Sequence, residues 1–181
     1  MHIFRHSVAL LLALAAASLS STACAQAQQT PSARRSQRAS VTQRVGAAEI
    51  VVAYSRPVAR GRELFPGVVS WGRNWSPGAD TATSVAFSAD VLVNGQALGK
   101  GTYSIWMIPQ QAEWTVIFSS AHPVWHVPYP EGKEVLRVPA TPATGSHMEA
   151  LAFYFPVVEP DSTVLNMHWG TTVVPLSIKV K

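Results

Sequence analysis

The stretch SVAFSADVLVN, residues 84–94, sets Val85, Phe87, Ala89, Val91 and Val93 at every second position, with Ser88, Asp90 and Asn94 between them. A period of two matches a pleated strand with one face in a core, and it cannot lay an apolar stripe along a helix. The run closes on Asn94 and Gly95, a pair suited to a tight hairpin. Similar runs are EIVVAYS from Glu49, TYSIWMI from Thr102, WTVIFS from Trp114, EVLRV from Glu134, ALAFYF from Ala150, TVLNMHW from Thr163 and TVVPLSIKV from Thr172. About eight short strands with frequent turns, and no helical period sustained over three turns, predict an all-β fold: an antiparallel β-sandwich or a jelly-roll-like barrel. Pro175 lacks a ladder donor, which predicts an edge or a bulge for the last strand.

The 181 residues divide by composition into a leader, a tether and one domain. Residues 1–27 read as an export signal: Arg5 supplies a positive start, VALLLALAAA supplies ten apolar residues, and ACAQA supplies small residues for cleavage. Ten are too few to span a bilayer, so the mature chain is expected to carry no transmembrane span. Cys24 opens a second route, lipidation, although Ser21 stands where that signal prefers an aliphatic residue. Both routes lead to an exported protein, periplasmic or secreted, with Cys24 as its only possible lipid anchor. Residues 28–44 are rich in Gln, Ser, Ala and Arg without apolar periodicity and read as a flexible tether; the all-β domain is expected over residues 45–181.

The net charge of +4 lies in the first part of the chain. Arg5, Arg34, Arg35, Arg38 and Arg44 precede residue 46 without one acid, leaving nine basic against ten acidic groups in the domain. A nucleic-acid binder needs a basic folded face, so nucleic acid is not an expected partner. The domain has no cysteine, which removes thiolate metal sites, thiol nucleophiles and disulfides.

The longest irregular stretch, residues 56–83, contains WGRNWSPGAD. Pro77 and Gly78 suit the centre of a type II turn, and Asp80 can accept backbone N–H groups before the next strand. Trp71 and Trp75, four apart, either plug an end of the sandwich or stack on a ligand. Arg56, Arg60, Arg62 and Arg73 flank them and either grip an anionic group or satisfy Asp80, Glu63 and loop carbonyls internally.

SRPVARGRELF, WGRNWSPGADTAT, DVLVNGQALGKGTYSIWMIP, EWTVIF and LRVPATP, in that order and spacing, resemble the bacterial domain of unknown function 2911 family. The resemblance spans residues 45–181 and implies an exported or periplasmic all-β protein; it brings no activity with it. The family pattern continues the second tryptophan with an arginine and a small residue, then Gly-Ala-Asn-Glu, where this chain has Ser76, Pro77, Gly78, Ala79, Asp80 and Thr81. A charged site built on that arginine and glutamate would be half missing here.

Four domain histidines, His122, His126, His147 and His168, offer metal chemistry, with Asp80 or Glu149 as carboxylate partners. Pro123 and Pro128 forbid a helix that would bring His122 and His126 together, yet they remain the leading candidate pair. His147 and Glu149 share a strand face only if the strand has begun by Ser146, against which Thr144, Gly145 and Ser146 argue. Alternation points Asn166 and His168 away from Leu165, Met167 and Trp169, toward solvent. No G-x-S-x-G elbow is present, GQALGKG lies between strands rather than opening a helix, and no cofactor is expected.

The expected function is binding of a small polar ligand or an envelope protein, with Arg56, Arg62, Trp71, Arg73, Trp75 and Asp80 as ligand-binding candidates and His122 and His126 as metal candidates. Two alternatives stand beside it: a hydrolase-like enzyme using a metal or a His and carboxylate site, and a structural or assembly subunit of the envelope.

Overall fold

A computed structural model of the chain describes residues 35–181. The leader reading and Cys24 lie outside these residues. Ten antiparallel strands follow in chain order: β1 (Gln37–Val45), β2 (Ala48–Arg56), β3 (Ser84–Phe87), β4 (Val91–Val93), β5 (Gln96–Leu98), β6 (Gly101–Ile108), β7 (Trp114–Ser119), β8 (Glu134–Ala140), β9 (Ala143–Val158) and β10 (Ser162–Val180). They form a six-stranded sheet, β1-β2-β3-β6-β7-β8, and a four-stranded sheet, β5-β4-β10-β9. Among the described residues no helix is long and apolar enough to cross a membrane.

Alternation sets the inner faces. Ile50, Val52, Val85, Ile105 and Val116 from the larger sheet join Val93, Leu151, Leu165, Met167 and Leu176 from the smaller in one buried cluster. Each such side chain contributes about 1.5–3 kcal/mol on leaving water, which makes the interior between the sheets the main source of stability.

Three expectations about strand limits are corrected. The run 84–94, read as one strand, breaks at Ser88–Asp90 into β3 and β4, which lie in different sheets. The segment read as tether ends in β1, which pairs with β2 from Gln37↔Arg56 to Val45↔Ala48. Its apolar residues are few because it is an edge strand: Ala39 and Val41 pack against the core from one face while the residues between them are exposed. The two runs read at the C-terminus are one strand, β10, and Pro175 sits neither at a sheet edge nor in a bulge. It falls between two ladders, since β10 pairs with β9 up to Val173 and with β4 from Ile178.

β10 is also buried on both faces over Leu165–Gly170, which corrects the solvent-facing reading of Asn166 and His168. His168 is 4% exposed, its Nδ1 3.2 Å from the Tyr154 hydroxyl and its Nε2 2.9 Å from the Ser146 carbonyl oxygen. Alternation assigns opposite faces, but it carries no information on what covers the second one.

Candidate functional site

The long connection between β2 and β3 runs along the larger sheet. β3 leaves β6 after Ser84↔Ser104, and the connection takes over that edge. Trp75 and Met107 exchange backbone bonds of 2.9 and 2.7 Å, and Gly72 N–H donates to the Pro109 carbonyl at 2.8 Å. Ser76 Oγ donates to the Ile105 carbonyl and accepts from Thr83 N–H, both at 3.1 Å, while Thr83 Oγ1 donates to the Pro77 carbonyl at 2.7 Å. Gly78 does not take the positive φ of the expected type II turn; Asp80 does, at 61°. Glycine is needed at 78 for space, because a Cβ there would lie 2.7 Å from Thr83 Oγ1.

This path puts Trp71 and Trp75 into one aromatic cluster around Phe65. Phe65 stacks on Trp71 at 5.9 Å between ring centroids and meets Trp75 and Trp114 edge-on at 5.8 and 5.0 Å. Trp75 lies nearly parallel to Trp169 at 6.1 Å. Trp114 and Trp169 are fully buried, whereas Trp71 and Trp75 are partly exposed. The plug and platform readings therefore divide between the two residues: Trp75 belongs to the packed cluster, and Trp71 forms part of a wall.

That wall bounds a cavity of about 290 Å³, lined by Arg62, Leu64, Phe65, Trp71, His147, Trp169, Gly170, Thr171 and Thr172. Arg62 is fixed by bonds from Nε to the Ala59 carbonyl at 2.9 Å and from Nη2 to the Val58 carbonyl at 2.7 Å. His147 Nε2 lies 2.9 Å from Glu149 Oε2, and Glu149 Oε1 accepts the Arg60 N–H at 2.7 Å. Those two bonds, His147 first, hold the Glu149 carboxyl below its ordinary range. Trp169 is 2% exposed and its indole N–H has no acceptor among the described residues, a cost of about 1–3 kcal/mol unless a water or ligand oxygen accepts it. Gly170, at φ +59°, lets β10 bulge here; a Cβ would come within 2.8 Å of Leu64 Cδ1.

A family model described as Protein of unknown function (DUF2911) matches residues 36–178, nearly the whole ten-stranded body. The chain belongs to the DUF2911 family. Neither the curated proteins nor the solved structures contain a match to it. Membership leaves the activity open.

Within this DUF2911 chain the six ligand-binding candidates do not converge. Arg62 and Trp71 meet at the cavity; Trp75 stacks behind it in the cluster. Arg56 is used structurally, its Nε donating to the Leu151 carbonyl at 3.0 Å, and Arg73 is exposed and does not line the cavity. Asp80 is elsewhere, its carbonyl accepting the His126 N–H at 3.0 Å and lying 2.6 Å from His126 Nδ1. His122 lines a different cavity, so the two metal candidates have different surroundings. Among the described residues no three His, Cys, Asp or Glu side chains are grouped to hold a metal ion.

Thr171 and Thr172 carry no local sequence signal, and His147 and Glu149 pair against the expectation from their flanking residues. β9 begins at Ala143, so the two do share a face, contrary to the expectation drawn from Thr144, Gly145 and Ser146. Pairing with β10 at Thr144↔Thr172 holds those turn-forming residues extended. The spacing of two between His147 and Glu149 was the available signal.

Proposed function

We propose that this chain is an exported β-sandwich that binds a small polar ligand, sugar-like or carboxylate-bearing, in the cavity beside Trp71. The observation that carries the reading is one partly exposed aromatic face, Trp71 stacked on Phe65, in a cavity that also presents Arg62, His147 and two threonines. Aromatic faces bury the apolar side of a sugar ring, while guanidinium and hydroxyl groups meet its oxygens. Arg62 is held by two backbone carbonyls, so little of its rotamer freedom is lost on binding. Export rests on the character of residues 1–27, and a periplasmic or secreted location follows from it. The test is calorimetric titration of the protein with mono- and disaccharides and small carboxylates. Saturable binding that Trp71→Ala removes, with the fold retained, supports the reading; absence of binding by every probe rejects it.

The His147 and Glu149 pair favours a second reading, a hydrolase-like site in which the carboxylate orients the imidazole as a base. It predicts turnover of an ester or glycoside probe that is lost in His147→Gln. An inert protein across such probes removes it.

A further inference from the structure

The outer face of the six-stranded sheet is filled unevenly. Over β6 and β7, Trp106 and Ile117 are covered by Ala82, Val124 and Tyr129 in a second small core. Over β1 to β3 the same face carries small residues at paired positions: Ser40 opposite Ala53, and Ala53 opposite Ser84. The step between large and small side chains leaves a trough, and it forms a cavity of about 520 Å³. That volume is in the range of small-molecule sites, roughly 300–1,000 Å³.

The walls of the trough are anchored. On one side stands β1, with Arg38 opposite Ser55 in the ladder. On the other stand His122 and Pro123, on a segment tied down by Ala82 N–H to the Val124 carbonyl at 2.9 Å and His126 N–H to the Asp80 carbonyl at 3.0 Å. Arg38 Nη2 reaches Thr81 Oγ1 at 3.4 Å, a long bond that engages one of its five donors. Ser40, Ser55 and Ser84 add hydroxyls, and among the described residues neither Asp nor Glu lines the cavity.

We propose that this trough is a second binding site, separate from the cavity beside Trp71, and that it takes a small organic anion, a carboxylate or phosphate ester. The guanidinium of Arg38 holds the anionic group, the imidazole of His122 faces it across the trough, and the alanine and serine floor accommodates the remainder of the ligand. The strand contributing Arg38 is the one whose composition resembled a tether, which gives that arginine a fixed position on the sheet.

The test is an amide-detected NMR titration of the purified protein with inorganic phosphate, citrate and glucose 6-phosphate, with glucose as the uncharged comparison. The expected result is saturable shifts at Arg38, Ser84 and His122 with an anionic probe and none there with glucose. Arg38→Gln, on an exposed side chain, should weaken binding about ten- to hundredfold, the worth of a hydrogen bond to a charged group. Ala53→Leu should fill the floor and abolish binding, while Trp71→Ala should leave it unchanged. Citrate binding in preference to phosphate assigns a carboxylate ligand, and the reverse assigns a phosphate ester. Absence of saturable shifts with all three anions overturns the proposal, as does anion binding that Arg38→Gln leaves intact.

Discussion

Trp75 lies against Trp169 with ring centroids 6.1 Å apart and planes 16° from parallel, whereas Trp71 contacts the same cluster through Phe65. Two tryptophans four residues apart thereby take different roles, and truncating them should give different phenotypes. Trp75→Ala should cost about 3 kcal/mol, as deletion of a large core side chain does, and lower the Tm by roughly 6–12 °C. Trp71→Ala should cost about 1 kcal/mol and act mainly on ligand binding. Thermal denaturation of both variants checks this; equal losses of stability would mean that Trp71 is core.

Gly78→Ala tests the packing of the same connection. Its Cβ would lie 2.7 Å from Thr83 Oγ1 and 3.4 Å from the Ser55 carbonyl oxygen, disturbing the bond from Thr83 to the Pro77 carbonyl. A loss of about 1–3 kcal/mol is expected in chemical denaturation, from overpacking and a strained buried hydrogen bond. An unchanged midpoint would show that the connection yields without cost.

Strand character was legible wherever one face of a strand is buried. Val85 and Phe87 alternate in β3, and Val91 and Val93 in β4, because the opposite side of each sheet is more open; the period of two did not show that the chain changes sheets between them. Where burial is two-sided, as at Asn166 and His168, or one-sided and sparse, as at Ala39 and Val41, the pattern misleads. The candidate site was legible in its aromatic part, since Trp71 and Trp75 did enter one cluster. It was not legible in its polar part: His147, Thr171 and Thr172 come to Arg62 through the pairing of β9 with β10, a long-range register that no local window contains.

The pairing of β1 gives a test of that boundary. Backbone amides of Gln37–Val45 that bond to β2 should exchange hydrogen as slowly as other edge-strand amides of the sandwich. Exchange at free-peptide rates throughout that segment, read by NMR or mass spectrometry, would restore the tether reading and remove Arg38 from any fixed site.

Acid should act on the β8 edge. The Arg137 guanidinium, at 2.5 and 2.6 Å, and next the Tyr129 hydroxyl hold Glu134 down from 4.5 to about 2. A carboxyl depressed on folding stabilises fully above its ordinary pKa and loses that contribution as pH falls through the depressed value. The Tm difference between the unsubstituted protein and Glu134→Gln should therefore be constant above about pH 5 and shrink between about pH 4.5 and pH 2. A difference independent of pH over that window would contradict the assignment.

A ligand in the cavity beside Trp71 would be reported directly by the indole N–H resonances. In a titration with mono- and disaccharides and small carboxylates, saturable shifts of the Trp71 and Trp169 indole signals are expected with at least one probe. The same ligand at a hundredfold excess over its Kd should add about 2.7 kcal/mol of stability. Unmoved indole signals across the whole panel would exclude a ligand site there and return WGRNWSPGAD to the architecture of the sandwich.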